Sequence, residues 1–183
     1  MKRIRQQSGF TLLEMVVSLA IVAVISTVLS QVFIVTLRTN TKTEIVKDIK
    51  QTGEMSLETM VRLIQRAKSV ITTCDYTGTT NQSIVLINLD DGQTTLGCVL
   101  DGSTTRLAST SAQGVQYLTT PNVTMGGSSC ITSSLAFVCK GGVGVASSVT
   151  ISFQLAQSGV SQGVFEQSSE MFQTTAGMRN IPQ

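Results

Sequence analysis

The chain has no histidine and no tryptophan, and only 13% of its 183 residues are charged. Without an imidazole it lacks the usual general base and the commonest metal ligand. It contains no P-loop and no G-x-G-x-x-G, so no cofactor is expected. The string GVSQG, Gly159 to Gly163, fits G-x-S-x-G around Ser161. A hydrolase elbow also needs a histidine partner, so a Gly/Ser loop is the simpler reading. These absences argue against an enzyme, and no catalytic residue is expected.

Basic residues are scarce in the C-terminal part. Beyond Ile71 there are only Arg106, Lys140 and Arg179, against Asp75, Asp90, Asp91, Asp101, Glu166 and Glu170. Phosphate binding needs clustered Lys and Arg, often with stacking aromatics. Aromatics make up 4% of the chain, so nucleic acid is not an expected partner of this part. Proline occurs only at Pro121 and Pro182, leaving the N-terminal third free of helix breakers. No C-x-x-C occurs, which disfavours a zinc site. Asp90-Asp91-Gly92 lacks the alternating ligands of a calcium loop and reads as a hairpin turn.

The N-terminus is where the sequence is informative. Lys2, Arg3 and Arg5 precede an apolar run, and Met15 to Leu37 contains no charged side chain. As a helix at about 1.5 Å per residue, that run is roughly 35 Å long, enough for a bilayer core of about 30 Å. The basic leader assigns the N-terminus to the cytoplasmic side and the rest to the far side. A cleaved secretory signal would have a shorter apolar core and an A-x-A-like site. A plain anchor would fit the length but leave Glu14 without a role, since carboxylates at membrane depth usually face a partner.

Gly9-Phe10-Thr11-Leu12-Leu13-Glu14, behind a short basic leader and before a membrane-length apolar run, resembles the processing motif of type IV prepilins and pseudopilins. The resemblance implies cleavage after Gly9 by a prepilin peptidase and N-methylation of Phe10. It implies insertion in the lipid bilayer of the cytoplasmic membrane, an inner-membrane assembly platform, and stacking with copies of itself or related pilins in a filament. It gives Glu14 a subunit-assembly role, opposite the Phe10 ammonium of a neighbour. Either charge buried alone would be costly, so such a pair selects the staggered register. Losing Lys2, Arg3 and Arg5 would leave ten Lys/Arg against eleven Asp/Glu. Many major pilins carry a proline midway along this helix, whereas this chain has Gln31. That shifts weight towards a minor pilin or pseudopilin, and the terminal segment SSEMFQTTAGMRNIPQ resembles H- and J-type pseudopilins.

From Arg38 to Ile71 the run turns amphipathic. Val46, Ile49, Gly53, Leu57, Met60, Ile64, Ala67 and Ile71 recur every three or four residues, a single helical stripe expected to pack on the protein's own sheet. Glu58 and Arg62 have favourable i,i+4 spacing. Gly53 lowers helix propensity within the stripe and points to a bend or a close contact. Thr39, Thr41 and Thr43 make a weak helical stretch where local melting is expected.

Beyond Ile71 the pattern becomes short β segments: Ser83 to Leu89, Thr94 to Leu100, Thr104 to Ser109, Gly114 to Thr120, Ser134 to Cys139 and Ser148 to Ala156, with a closing strand after them. The fold class is therefore α+β, a long N-terminal helix on an antiparallel sheet. The expected organisation is a leader at 1–9, an apolar helix at 10–37, its amphipathic continuation at 38–71 and a β-rich extracytoplasmic head at 72–183. Cys74, Cys98, Cys130 and Cys139 all fall in the head, and an even count there reads as two disulfides. Of three connectivities, the local one, Cys74–Cys98 with Cys130–Cys139, is preferred because Cys130 to Cys139 can close a strand-and-loop excursion. A rival from another class is an anchored binding module that does not polymerise, with loops such as SAQG and MGGSSC meeting a ligand.

Overall fold

The computed structural model describes residues 11–72, 74–142, 145–159 and 168–178, with backbone alone at 38, 40, 41, 142 and 145–147. One helix, α1, runs from Leu12 to Arg66. It is continuous through Thr39 to Thr43, and the Thr39 and Thr43 hydroxyls donate to the carbonyls of Val35 and Thr39, each at 2.9 Å. Residues up to Thr43 and residues from Glu44 form two compact units.

In the second unit the stripe is buried as its spacing requires. Ile49, Met60, Ile64 and Ala67 enter the core, and Leu57 packs on its edge. Gly53 is a close-contact glycine. A methyl group there would overlap the ring edge of Phe172, which stacks on Phe153 at 5.4 Å between centroids. Two polar residues share the buried face, Thr52 and Ser56. The Ser56 hydroxyl donates to the Leu118 carbonyl at 2.6 Å, which satisfies it inside the core. On the outer face Glu58 and Arg62 pair at 3.7 Å.

The helix ends at Arg66, short of the expected Ile71. Val70, Ile71 and Thr72 are β-branched and favour an extended backbone. Strand β1 (Ser69–Val70) pairs with β3 (Ile84–Ile87), and the Ile71 N–H donates to the Val85 carbonyl at 2.9 Å. Sheet pairing thus takes over from helix periodicity, and Ile71 stays half exposed.

Two five-stranded antiparallel arrangements follow. The first sheet has the order β1-β3-β4-β5-β6, with β3 at Ile84–Ile87, β4 at Gln93–Asp101, β5 at Thr104–Ser111 and β6 at Gly114–Tyr117. The second has the order β10-β9-β8-β2, with β2 at Thr79–Asn81, β8 at Ala136–Gly142, β9 at Val145–Gln157 and β10 at Ser169–Gly177. The two-residue β7 (Val123–Thr124) also pairs with β9. The expected hairpin turns are present. Asn88 and Gly92 close the first, with Asp91 at φ +61°, and Gly102 at φ +62° lies in the second. Alternate residues of β3, Ile84 and Leu86, are buried, as are Leu96 of β4 and Leu107 of β5.

The four cysteines form disulfides, but the local pairing is corrected. The bridges are Cys74–Cys139 and Cys98–Cys130, with Cα separations of 5.0 and 5.4 Å. The reason is strand order. Asp75 bridges to Lys140, and the Gly141 N–H donates to the Asp75 carbonyl at 3.1 Å, so Cys74 lies beside Cys139. Cys98 is on β4 in the first sheet, and the 3₁₀ turn Cys130–Thr132 is held to it before the chain runs on into β8 of the second sheet. Spacing along the chain favoured the shorter loop; the strand order places its ends apart.

One charged residue is buried in the first sheet. Arg106 is 8% exposed. Its guanidinium donates to Asp101 Oδ2 at 2.6 Å and to the Thr119 carbonyl, and lies 4.0 Å over the Tyr117 ring. The fork geometry of arginine suits this pair of acceptors, and the ring adds a cation–π contact.

Candidate processing and assembly site

The helix begins with a reciprocal cap. The Thr11 N–H donates to Glu14 Oε2 at 2.9 Å, and the Glu14 N–H donates to Thr11 Oγ1 at 3.3 Å. This is the capping box T-x-x-E, in which two amide donors otherwise lost at a helix start are satisfied. Glu14 also lies in the first turn, where the helix dipole favours negative charge. The same four letters that carry the processing resemblance, Thr11-Leu12-Leu13-Glu14, therefore carry a helix-start signal as well. Reading Glu14 only for a subunit partner missed that local role, although the spacing made it legible.

From Leu12 to Leu37 the described side chains are exposed, Leu12 at 83% and Phe33 at 64% among them. The helix contains a window of mean hydropathy 2.5, long and apolar enough to cross a membrane. Four of its hydroxyls are satisfied within the helix. Ser18, Ser30 and Thr36 donate to the carbonyls four residues earlier at 2.7, 2.8 and 2.8 Å, and Thr27 donates to Val24 at 2.7 Å. An apolar surroundings would penalise a bare hydroxyl, and back-bonding removes that penalty. No proline interrupts this stretch, and Gln31 is helical.

Gly9 and Phe10, the expected cleavage and methylation residues, lie outside the described residues. So does Ser161. In the head the described residues include no group of three His, Cys, Asp or Glu side chains that could hold a metal ion. Asp90 and Asp91 serve the turn instead: Asp90 Oδ1 accepts the Gly92 N–H at 3.1 Å, and Asp91 pairs with Lys68 at 2.8 Å.

A long N-terminal helix with a capped, apolar start, followed by antiparallel sheets on which its later turns pack, is a pilin-like α+β architecture. Residues 4–30 match the family model described as the prokaryotic N-terminal methylation motif, which supports the type IV pilin and pseudopilin family. The motif implies a precursor processed by a prepilin peptidase and is compatible with a membrane-anchored, single-pass chain. No curated protein and no solved structure matches the chain.

Proposed function

We propose that this chain is a structural subunit of a type IV pilus-like or type II secretion pseudopilus filament. The leader 1–9 is cut after Gly9, Phe10 is methylated, and residues 10–37 hold the subunit in the cytoplasmic membrane. Residues 38–71 continue from that anchor, and the head, 72–183, lies on the extracytoplasmic side. Assembly then transfers the apolar surface from lipid to neighbouring helices, with Glu14 opposite the terminal ammonium of the adjacent subunit. The methylation keeps that ammonium charged. The absence of a helix proline at Gln31 favours a minor pilin or pseudopilin over a major pilin.

The observation that carries this reading is the methylation motif at 4–30 running directly into an exposed helix of membrane length. Mass spectrometry of the mature protein tests it. The expected N-terminus is a methylated Phe10. An intact Met1, or a start within the helix at Gln31, would sink the proposal. Replacing Glu14 with Ala is expected to leave processing intact and to abolish incorporation into filaments.

A further inference from the structure

The buried face of the first sheet changes character along its strands. On β4, β5 and β6 the positions in line with Leu96 and Leu107 become Thr94, Ser109, Ser111 and Gln116. Register confirms the shared face: Leu86 pairs with Thr94, Thr94 with Ser111, and Ser109 with Gln116. Ser109 and Ser111 are half-buried, Gln116 is exposed and the buried Thr94 hydroxyl is bonded by Asn88, so this end of the face lies outside the core and is open to a polar partner. Here the polar stretch forms the wall of a groove of about 310 Å³, closed at one side by Leu63 of the helix and at another by the loop Ala112-Gln113. This is near the lower end of the roughly 300–1,000 Å³ typical of small-ligand clefts.

The lining has a definite chemistry. Among the described residues it offers amides, hydroxyls and one carboxylate, Asp90, and no Lys or Arg. Asn88 is fixed by donating to Thr94 Oγ1 at 2.9 Å, which leaves its carbonyl oxygen as an acceptor. The side chain of Gln116, exposed and paired across the strands with Ser109, is on this face with its donors and acceptor available, whereas Gln93 alternates to the opposite face. An anion would meet a carboxylate and no cation, so phosphates and sulfated chains are disfavoured. An apolar ligand would strip water from several amides without replacing their hydrogen bonds. A neutral polyol satisfies both limits, because vicinal hydroxyls donate and accept in turn, while Leu63 and Ala112 meet its C–H surface.

We propose that this groove is a binding subsite for a neutral oligosaccharide. The inference stands apart from filament assembly, since it rests on the head alone. It is tested with the full-length, disulfide-bonded protein in a non-glycosidic detergent, by following side-chain amide signals in NMR. The probes are maltose, lactose and N,N′-diacetylchitobiose, with a sulfated disaccharide as the anionic control. At least one neutral probe should shift the Asn88 and Gln116 side-chain amide signals saturably at millimolar concentration, while Asn122, outside the groove, stays unmoved. Gln116→Leu, on the exposed edge strand β6, should weaken that binding at least about tenfold with the fold unchanged by circular dichroism. Ser109→Val, which removes a hydroxyl from the groove wall, should do the same and guards against a folding defect in the first variant. No shift with any neutral probe at 50 mM, an equal response to the sulfated sugar, or undiminished binding by both variants would overturn the assignment.

Discussion

Replacing Gly53 with Ala sets two known effects against each other. In an unconstrained helix the change stabilises by about 1 kcal/mol, because glycine is the poorer helix former. In this protein the new methyl group would occupy space held by the Phe172 ring edge. That ring is confined, being 9% exposed and stacked on Phe153. Inserting a methyl group into a packed core costs about 1–3 kcal/mol. Relief requires β10 to move, and β10 is tied to the helix again by Lys50 and Glu170 at 3.6 Å. That surface pair adds little energy, so the ring contact decides the sign. The expected net effect is a destabilisation of up to about 2 kcal/mol, or up to roughly 6 °C in Tm for a head of this size. Denaturant or thermal unfolding of the full-length protein in detergent would measure it. Phe172→Leu should relieve the clash, so Gly53→Ala should be harmless or stabilising in that background, with a coupling of about 1 kcal/mol or more. A Gly53→Ala variant more stable than the parent, or a double variant whose effects simply add, would refute the close-packing argument.

Peptide mapping without reduction should recover Cys74 with Cys139 and Cys98 with Cys130. Removing the Cys74–Cys139 pair, which spans 65 residues, should cost about 4 kcal/mol by the loop-entropy relation. Arg106→Met should destabilise by about 2 kcal/mol, since it leaves the Thr119 carbonyl without its donor, and Arg106→Lys should not fully restore stability because an ammonium cannot reproduce the fork. Asp75 should titrate below its ordinary 3.8, chiefly because the Thr79 hydroxyl bonds its carboxyl, with the Gly78 N–H acting the same way against partial desolvation. Its contribution to the loop is then present above the ordinary carboxylate range and lost as pH falls through the lowered value. Carbon-detected NMR titration would show this midpoint, and Thr79→Val should raise it.

Much of the architecture was legible because it rests on local periodicity. The stripe from Ile49 to Ala67 needs only helical spacing, and the turns at Asp90-Asp91-Gly92 and Asp101-Gly102 need only local backbone preference. What escaped was set by neighbours distant in the chain. The helix stops at Arg66 because β3 offers pairing to the residues after it, and β3 lies in another part of the sequence. The cysteine partners depend on strand order, which separates Cys130 from Cys139 and brings Cys74 to Cys139. Gly53 was recognisable as a place where something comes close, but its neighbour, Phe172, arrives from the final strand. At the N-terminus the motif residues were identifiable from letters alone, whereas Thr11 and Glu14 acting on each other belongs to geometry. The groove beside Leu63 was also hidden, since its polar wall is assembled from three strands whose register no single segment encodes.

The cap between Thr11 and Glu14 makes the proposed assembly an exchange of partners. The single chain presents a carboxylate already occupied by its own backbone, one residue away from the end that processing would create. Joining a filament would then hand that carboxylate from an intrachain amide to an interchain ammonium. Glu14→Gln separates the two engagements, because a glutamine still caps a helix start but carries no charge. A subunit with Gln at this position should fold and insert with an unfrayed first turn, and yet be unable to complete the handover.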